Sequence, residues 1–90
     1  MAQATTHSIT VRTIIGSVAF RTGVADFLEG RPCDVDKYRR NDQWRYERGR
    51  MYAAAATGRG MPVRPNRVGR HVNRAAERDY VELMRDGDIL

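Results

Sequence analysis

Ninety residues carry a net charge of +5, from fifteen Arg and one Lys set against eleven acids. A chain of this size makes one domain with a small core, too little to enclose an active site for several substrates. Its single Cys excludes an intrachain disulfide and a cysteine-based zinc site, and it has no apolar run long enough to span a bilayer, so a cytoplasmic protein is expected.

The charge is unevenly spread. Residues 1–30 balance, 31–58 sum to +3, 59–78 to +5 with Glu77 as their one acid, and 79–90 to −3. An outside polyanion would therefore meet the middle and third quarter of the chain. Arginine suits bidentate grips on phosphate or carboxylate and stacking on bases. Codon usage in a GC-rich genome would give the same excess.

Residues 1–7 lack any periodic pattern and read as a flexible N-terminus. Ile9, Val11, Thr13 and Ile15 alternate as a short strand over 9–15 would, yet Val11, Ile14, Ile15 and Val18 also fit helical spacing. The helical pattern predicts a first helix over 10–29. Ser17 is a cap candidate within it, and Phe20, Val24, Phe27 and Leu28 form its apolar stripe. Gly30 and Pro32 then stop it. Apolar on two sides, this segment calls for burial between helices or against a second copy of the chain, which makes 9–18 a homodimer surface.

A second helix is predicted over 35–57, opened by Asp34 or Asp36, with a break near Asn41 as the other reading because Asp42 can also cap. Trp44, Met51 and Ala55 share one side of it. Burying the largest side chain there would contribute a few kcal/mol, so Trp44 is expected in the core with Phe20, Val24, Phe27 and Met51. Gly49 lowers helix propensity by roughly 1 kcal/mol relative to Ala. Either a neighbour approaches very closely at that residue or the helix bends.

Arg39, Gln43, Tyr46 and Arg50 align on another side, an interleaving of cations and an aromatic that suits unpaired RNA bases and their phosphates. The bland alternative is surface pairing, of Asp36 with Arg40, Asp42 with Arg45 and Glu47 with Arg50. Residues 58–65 hold two Gly and two Pro and form a linker that exposes Arg59 and Arg64. Asn66 is the expected cap of a last helix over 66–86, closed by Gly87. On it Val68, Val72, Ala75, Ala76 and Leu83 face inward. Arg67, Arg70, Arg74, Arg78 and Arg85 form an outward stripe able to neutralise several phosphates, unless Glu77 and Glu82 neutralise Arg74 and Arg78 first.

The sequence therefore predicts an all-α bundle of about three helices in a single domain, 1–90. His7 and His71 stand far apart with no ligand at metal spacing, so no metal or cofactor is expected. Cys33 has no neighbouring base, and no phosphate loop or dinucleotide fingerprint occurs, so the chain is not expected to be an enzyme.

The stretches R-T-G-V-A-D-F-L-E-G-R, from Arg21 to Arg31, and Q-W-R-Y-E-R-G-R-M-Y-A-A-A, from Gln43 to Ala55, resemble the ribosome modulation factor family of small bacterial proteins. The resemblance implies two short helices joined by a linker, a non-enzymatic role, and binding to ribosomal RNA of the small subunit that regulates translation by occupancy. This chain departs from the family in lacking its basic N-terminal arm, in the order of Pro32, Cys33 and Tyr38, in having Arg50 where the family has a second Trp, and in the segment after Gly58. A ribosome or its RNA is thus the leading partner, met by Arg39, Gln43, Tyr46, Arg50, Arg64, Arg67, Arg70, Arg74 and Arg78. The alternative is a small adaptor or inhibitor, of the kind phages and mobile elements encode, docked on a host protein machine. Neither reading involves a membrane.

Overall fold

The computed structural model describes residues 11–89, which fold as a mostly helical chain with one small hairpin. The elements are helix α1 (11–15 as described), α2 (Val18–Leu28), α3 (Arg40–Gly58), strands β1 (Arg67–Val68) and β2 (His71–Val72), and α4 (Arg74–Arg85). Residues 1–7 and Ile9, and with them the expected flexible terminus and the start of the alternative strand, lie outside the described residues. Residues 11–15 are helical, so the strand reading fails there.

The expected single helix over 10–29 is broken at Gly16 and Ser17. Ser17 adopts an extended backbone, its hydroxyl donates to the carbonyl of Ile14 at 2.8 Å, and its oxygen accepts from the N–H of Phe20 at 3.1 Å. One side chain closes α1 and caps α2, which stabilises the break. A Cβ on Gly16 would sit 3.0 Å from Val72 and 3.1 Å from the Arg12 carbonyl, so the corner also admits the hairpin. Because the chain turns here, Val11, Ile14 and Ile15 fold into the protein's own core instead of offering an apolar face to a second copy.

Helices α2 and α3 pack backbone to backbone. Gly23 lies against the backbone of Tyr46 and Arg50, and Gly49 against that of Phe20; a Cβ at either position would run into the facing carbonyl oxygen. Close approach, not bending, is thus what Gly49 serves. It also decides which faces are buried. On α2 these are Ala19, Phe20, Gly23 and Asp26, while Val24 and Phe27 are half-buried and Leu28 is 55% exposed. On α3 they are Tyr46, Gly49, Tyr52, Ala53 and Ala56. Trp44 lies about 200° of helical rotation from Tyr46 and remains 41% exposed, so it is not the expected core anchor. Met51 packs partly against the core.

Phe20, Tyr52 and Tyr80 form the centre of that core, with ring centroids 5.8, 5.8 and 6.4 Å apart. Val11, Ile14, Ile15, Leu83 and Ile89 surround them. Burial raises the phenol pKa of both Tyr52 and Tyr80 above the usual tyrosine value.

Helix α3 starts at Arg40, later than expected, and neither Asp34 nor Asp36 caps it. Residues 31–35 are drawn instead toward Asp26 and Tyr46: the Arg31 N–H donates to the Asp26 carbonyl at 2.8 Å and the Asp34 N–H to the Tyr46 hydroxyl at 3.3 Å. After Gly58 the linker carries no helix or strand through Asn66, but Met61 and Val63 pack on the core, so it is not a loose tether.

The predicted helix over 66–86 is half hairpin. Asn66 is buried and caps nothing: its amide donates to the carbonyls of Ile15 at 2.7 Å and Ser17 at 3.3 Å. Gly69, at φ 61°, makes the tight turn, pairing Arg67 with Val72 and Val68 with His71. Asn73 is the true cap of α4, accepting from the N–H of Ala75 at 3.0 Å. Ala76, Asp79, Tyr80 and Leu83 form its buried face, and Val68 is left 63% exposed. The expected end holds: α4 stops at Arg85, and Gly87 in the left-handed region returns Ile89 to the core.

Candidate nucleic-acid interface

Many of the basic side chains are engaged within the fold. Tyr46, expected to stack on bases, is fully buried; its hydroxyl donates to the Asp26 carboxylate at 2.6 Å and its ring lies 5.1 Å from Tyr38. That hydrogen bond, with Lys37 and Arg31 nearby, holds the Asp26 carboxyl below the usual range although burial pushes the other way. Arg50 donates to the Arg31 carbonyl at 2.9 Å, and Gln43 to the Tyr38 carbonyl at 2.9 Å. The polar face expected on α3 is therefore the clasp that holds residues 31–39, and only Arg39 of that quartet extends free of it.

Arg64 is likewise committed, with Nε 2.7 Å from the buried Asp79. Arg67 donates to the carbonyls of Gly16 at 2.8 Å and Arg70 at 3.1 Å, bracing the hairpin on the α1–α2 corner. Arg59 grips Asp86 at 2.6 Å, Asp88 at 3.0 Å and Glu82 at 3.5 Å, and these carboxylates raise its pKa further, Asp86 most. The ends of α3 and α4 are joined by this one cation.

The hairpin prevents one continuous arginine stripe, yet it leaves a basic surface. Glu77 pairs with Arg12 at 3.0 Å and Glu82 with Arg59, so neither acid neutralises its own helix's arginines. Arg70, Arg74 and Arg85 are exposed and form no salt bridge among the described residues. Arg78 reaches Asp79 only at 3.7 Å and keeps 68% of its side chain exposed. A depression of about 570 Å³ between hairpin and α4 is lined by Arg12, Val68, His71, Asn73, Arg74 and Glu77. A second, of about 430 Å³, adjoins it through Arg12, Arg74 and Glu77 and adds Arg78, Val81, Glu82 and Arg85.

Arg12 and His71 belong to this surface without any sequence signal, since only the turn at Gly16 and the hairpin bring them to α4. Arg40 is also exposed and unpaired among the described residues, as is Arg21. Trp44 carries the Arg48 guanidinium over its ring at 4.5 Å. No grouping of His, Cys, Asp and Glu able to hold a metal occurs among the described residues, and no helix there is long and apolar enough to cross a membrane. No known protein-family model matches the chain, and no curated protein or solved structure matches it.

Proposed function

We propose that this protein is a non-enzymatic RNA-binding regulator that associates with ribosomes and acts by occupancy. The observation that carries this reading is the set Arg70 and Arg74, without a salt bridge among the described residues because Glu77 and Glu82 serve Arg12 and Arg59, and Arg78, which has only a 3.7 Å share of the Asp79 already held by Arg64. Clustered guanidiniums beside a polar depression attract phosphates, and releasing counterions from the RNA drives binding. The resemblance of residues 21–56 to the ribosome modulation factor family supports the same partner. Arg39, at the start of α3, remains a second contact; Tyr46, Gln43, Arg50, Arg64 and Arg67 act by shaping the fold.

Sedimentation of the protein with ribosomes, with and without nuclease, tests the proposal. The wild type is expected to travel with ribosomes and to be released by nuclease. The double variant Arg70→Glu, Arg74→Glu should stay in the supernatant. Three phosphate contacts on single-stranded RNA give a slope of about −2 in a plot of log affinity against log salt. Retention of partner proteins after nuclease, with no RNA recovered, would establish the adaptor reading instead.

A further inference from the structure

The sole Trp, Trp44, lies at the surface, 41% exposed, where every Phe and Tyr among the described residues is buried or half-buried. It does not lie there loosely. The Arg48 guanidinium stacks over the indole at 4.5 Å, anchored by its Nη1 contact with Met51 Sδ at 3.5 Å. Among the described residues Arg48 Nε is buried with no hydrogen-bond partner and no carboxylate pairs with this guanidinium, so the ring is what holds the cation. No other ring packs on Trp44 among the described residues, and the residue keeps 41% of its surface exposed.

Arg40 precedes Trp44 by four residues, on the adjoining turn of the same face, and is exposed and unpaired among the described residues. Arg39 at the N-cap supplies no side-chain oxygen, so the first-turn N–H groups beside Arg40 lack the usual side-chain acceptor. Arg45 is occupied by Asp42 at 3.3 Å. Glu47, exposed on the adjacent ridge, is the acid that bounds the patch.

We infer that Arg40, Trp44 and Arg48 form a stacking site for an unpaired nucleotide of single-stranded RNA: the base lies on the indole, and its phosphate meets Arg40 at the start of α3. The inference rests on the RNA-binding reading and deepens it. The hairpin–α4 surface, which offers guanidiniums and, of rings, only the His71 imidazole, grips phosphates of any RNA form. The α3 site selects for a base that is out of a helix, because only such a base presents a free face.

Since Trp44 is the only tryptophan, its fluorescence reports the site directly. Titration with a single-stranded RNA hexamer is expected to quench it saturably, while a blunt RNA duplex of equal charge binds without quenching. With a labelled hexamer read by anisotropy, Trp44→Leu should weaken binding about tenfold, the lower part of the range for losing one stacked base, and Trp44→Tyr should recover most of it. Arg40→Gln should weaken it severalfold, and Glu47→Gln should strengthen it. Duplex affinity should be unchanged in all four.

If hexamer and duplex both bind but neither quenches, and Trp44→Leu binds as the wild type, the stacking site is overturned while the RNA-binding reading stands. If neither form binds, both fall. Quenching by an acidic peptide and not by the hexamer would overturn it in favour of a protein ligand.

Discussion

The α2–α3 crossing and the hairpin–α4 half are held together by different physics. At the crossing, Gly23 and Gly49 let two backbones touch, and the buried Tyr46–Asp26 pair seals one end. In the hairpin–α4 half, polar side chains span long sequence separations: Asn66 to Ile15 and Ser17 and Arg67 to Gly16 dock the hairpin, and Arg64 to Asp79 ties the linker to α4. Shape complementarity tolerates almost no change of volume, whereas a surface braced by polar contacts can lose single arginines and keep its form. Arg31 and Arg50 are consumed in closing one end of the crossing, whereas Arg74 and Arg85 on the outer face of α4 are left over. The two halves should therefore respond in opposite ways to mutation.

The largest effect is expected from Gly49→Ala, with Gly23→Ala close behind. Each places a methyl group inside the partner's backbone and should cost about 3 kcal/mol, the upper end for overpacking, in urea unfolding followed by circular dichroism. Equal stability of Gly49→Ala and wild type would refute the backbone-contact geometry.

Asn66→Ala should come next. It strips the buried Ile15 carbonyl of this donor and removes a longer bond to the Ser17 carbonyl, which keeps the Arg21 N–H, for about 2 kcal/mol, and should speed amide exchange in the hairpin more than in α3. Uniform acceleration throughout the chain would argue against a hairpin docked by this side chain.

Tyr46→Phe sharpens the contrast by pH. Asp26 titrates lower in the folded chain than in the unfolded one, so its contribution to stability is present above the usual aspartate pKa of about 4 and lost as pH falls through the lower folded value. Removing the hydroxyl that is the main cause should lower the Tm at pH 7 and flatten its decline in acid. A parallel decline in both proteins would show that the pair does not set the acid limb.

The smallest effect on stability is expected for Arg70→Glu with Arg74→Glu, which should leave the Tm unchanged and abolish ribosome sedimentation. Loss of both together would mean that these side chains brace the fold, as Arg67 does.

Several of these features can be read from the residues themselves. Gly30 with Pro32, and Gly87, end helices because glycine alone enters the left-handed region without strain. Ser17 caps whether or not the helix before it continues. Gly49 in a helix announces a near neighbour or a bend. Other features cannot be read this way. Asn66 and Asn73 are equally good caps by type, and the choice fell to Asn73 because Asn66 is needed by carbonyls some fifty residues away. Tyr46 and Trp44 are both amphipathic aromatics two positions apart. Gly23 turned the Tyr46 face inward and left Trp44 outside.

The sequence by itself determined the helical class, the ends of α2, α3 and α4 and the surplus of guanidinium, because propensity, capping and composition are local properties. Only the tertiary structure decided which arginines are free. An arginine's partner is whichever carboxylate or carbonyl the fold brings within reach, and here Glu77 and Glu82 were drawn to Arg12 and Arg59, away from the helix turns that sequence spacing had offered them.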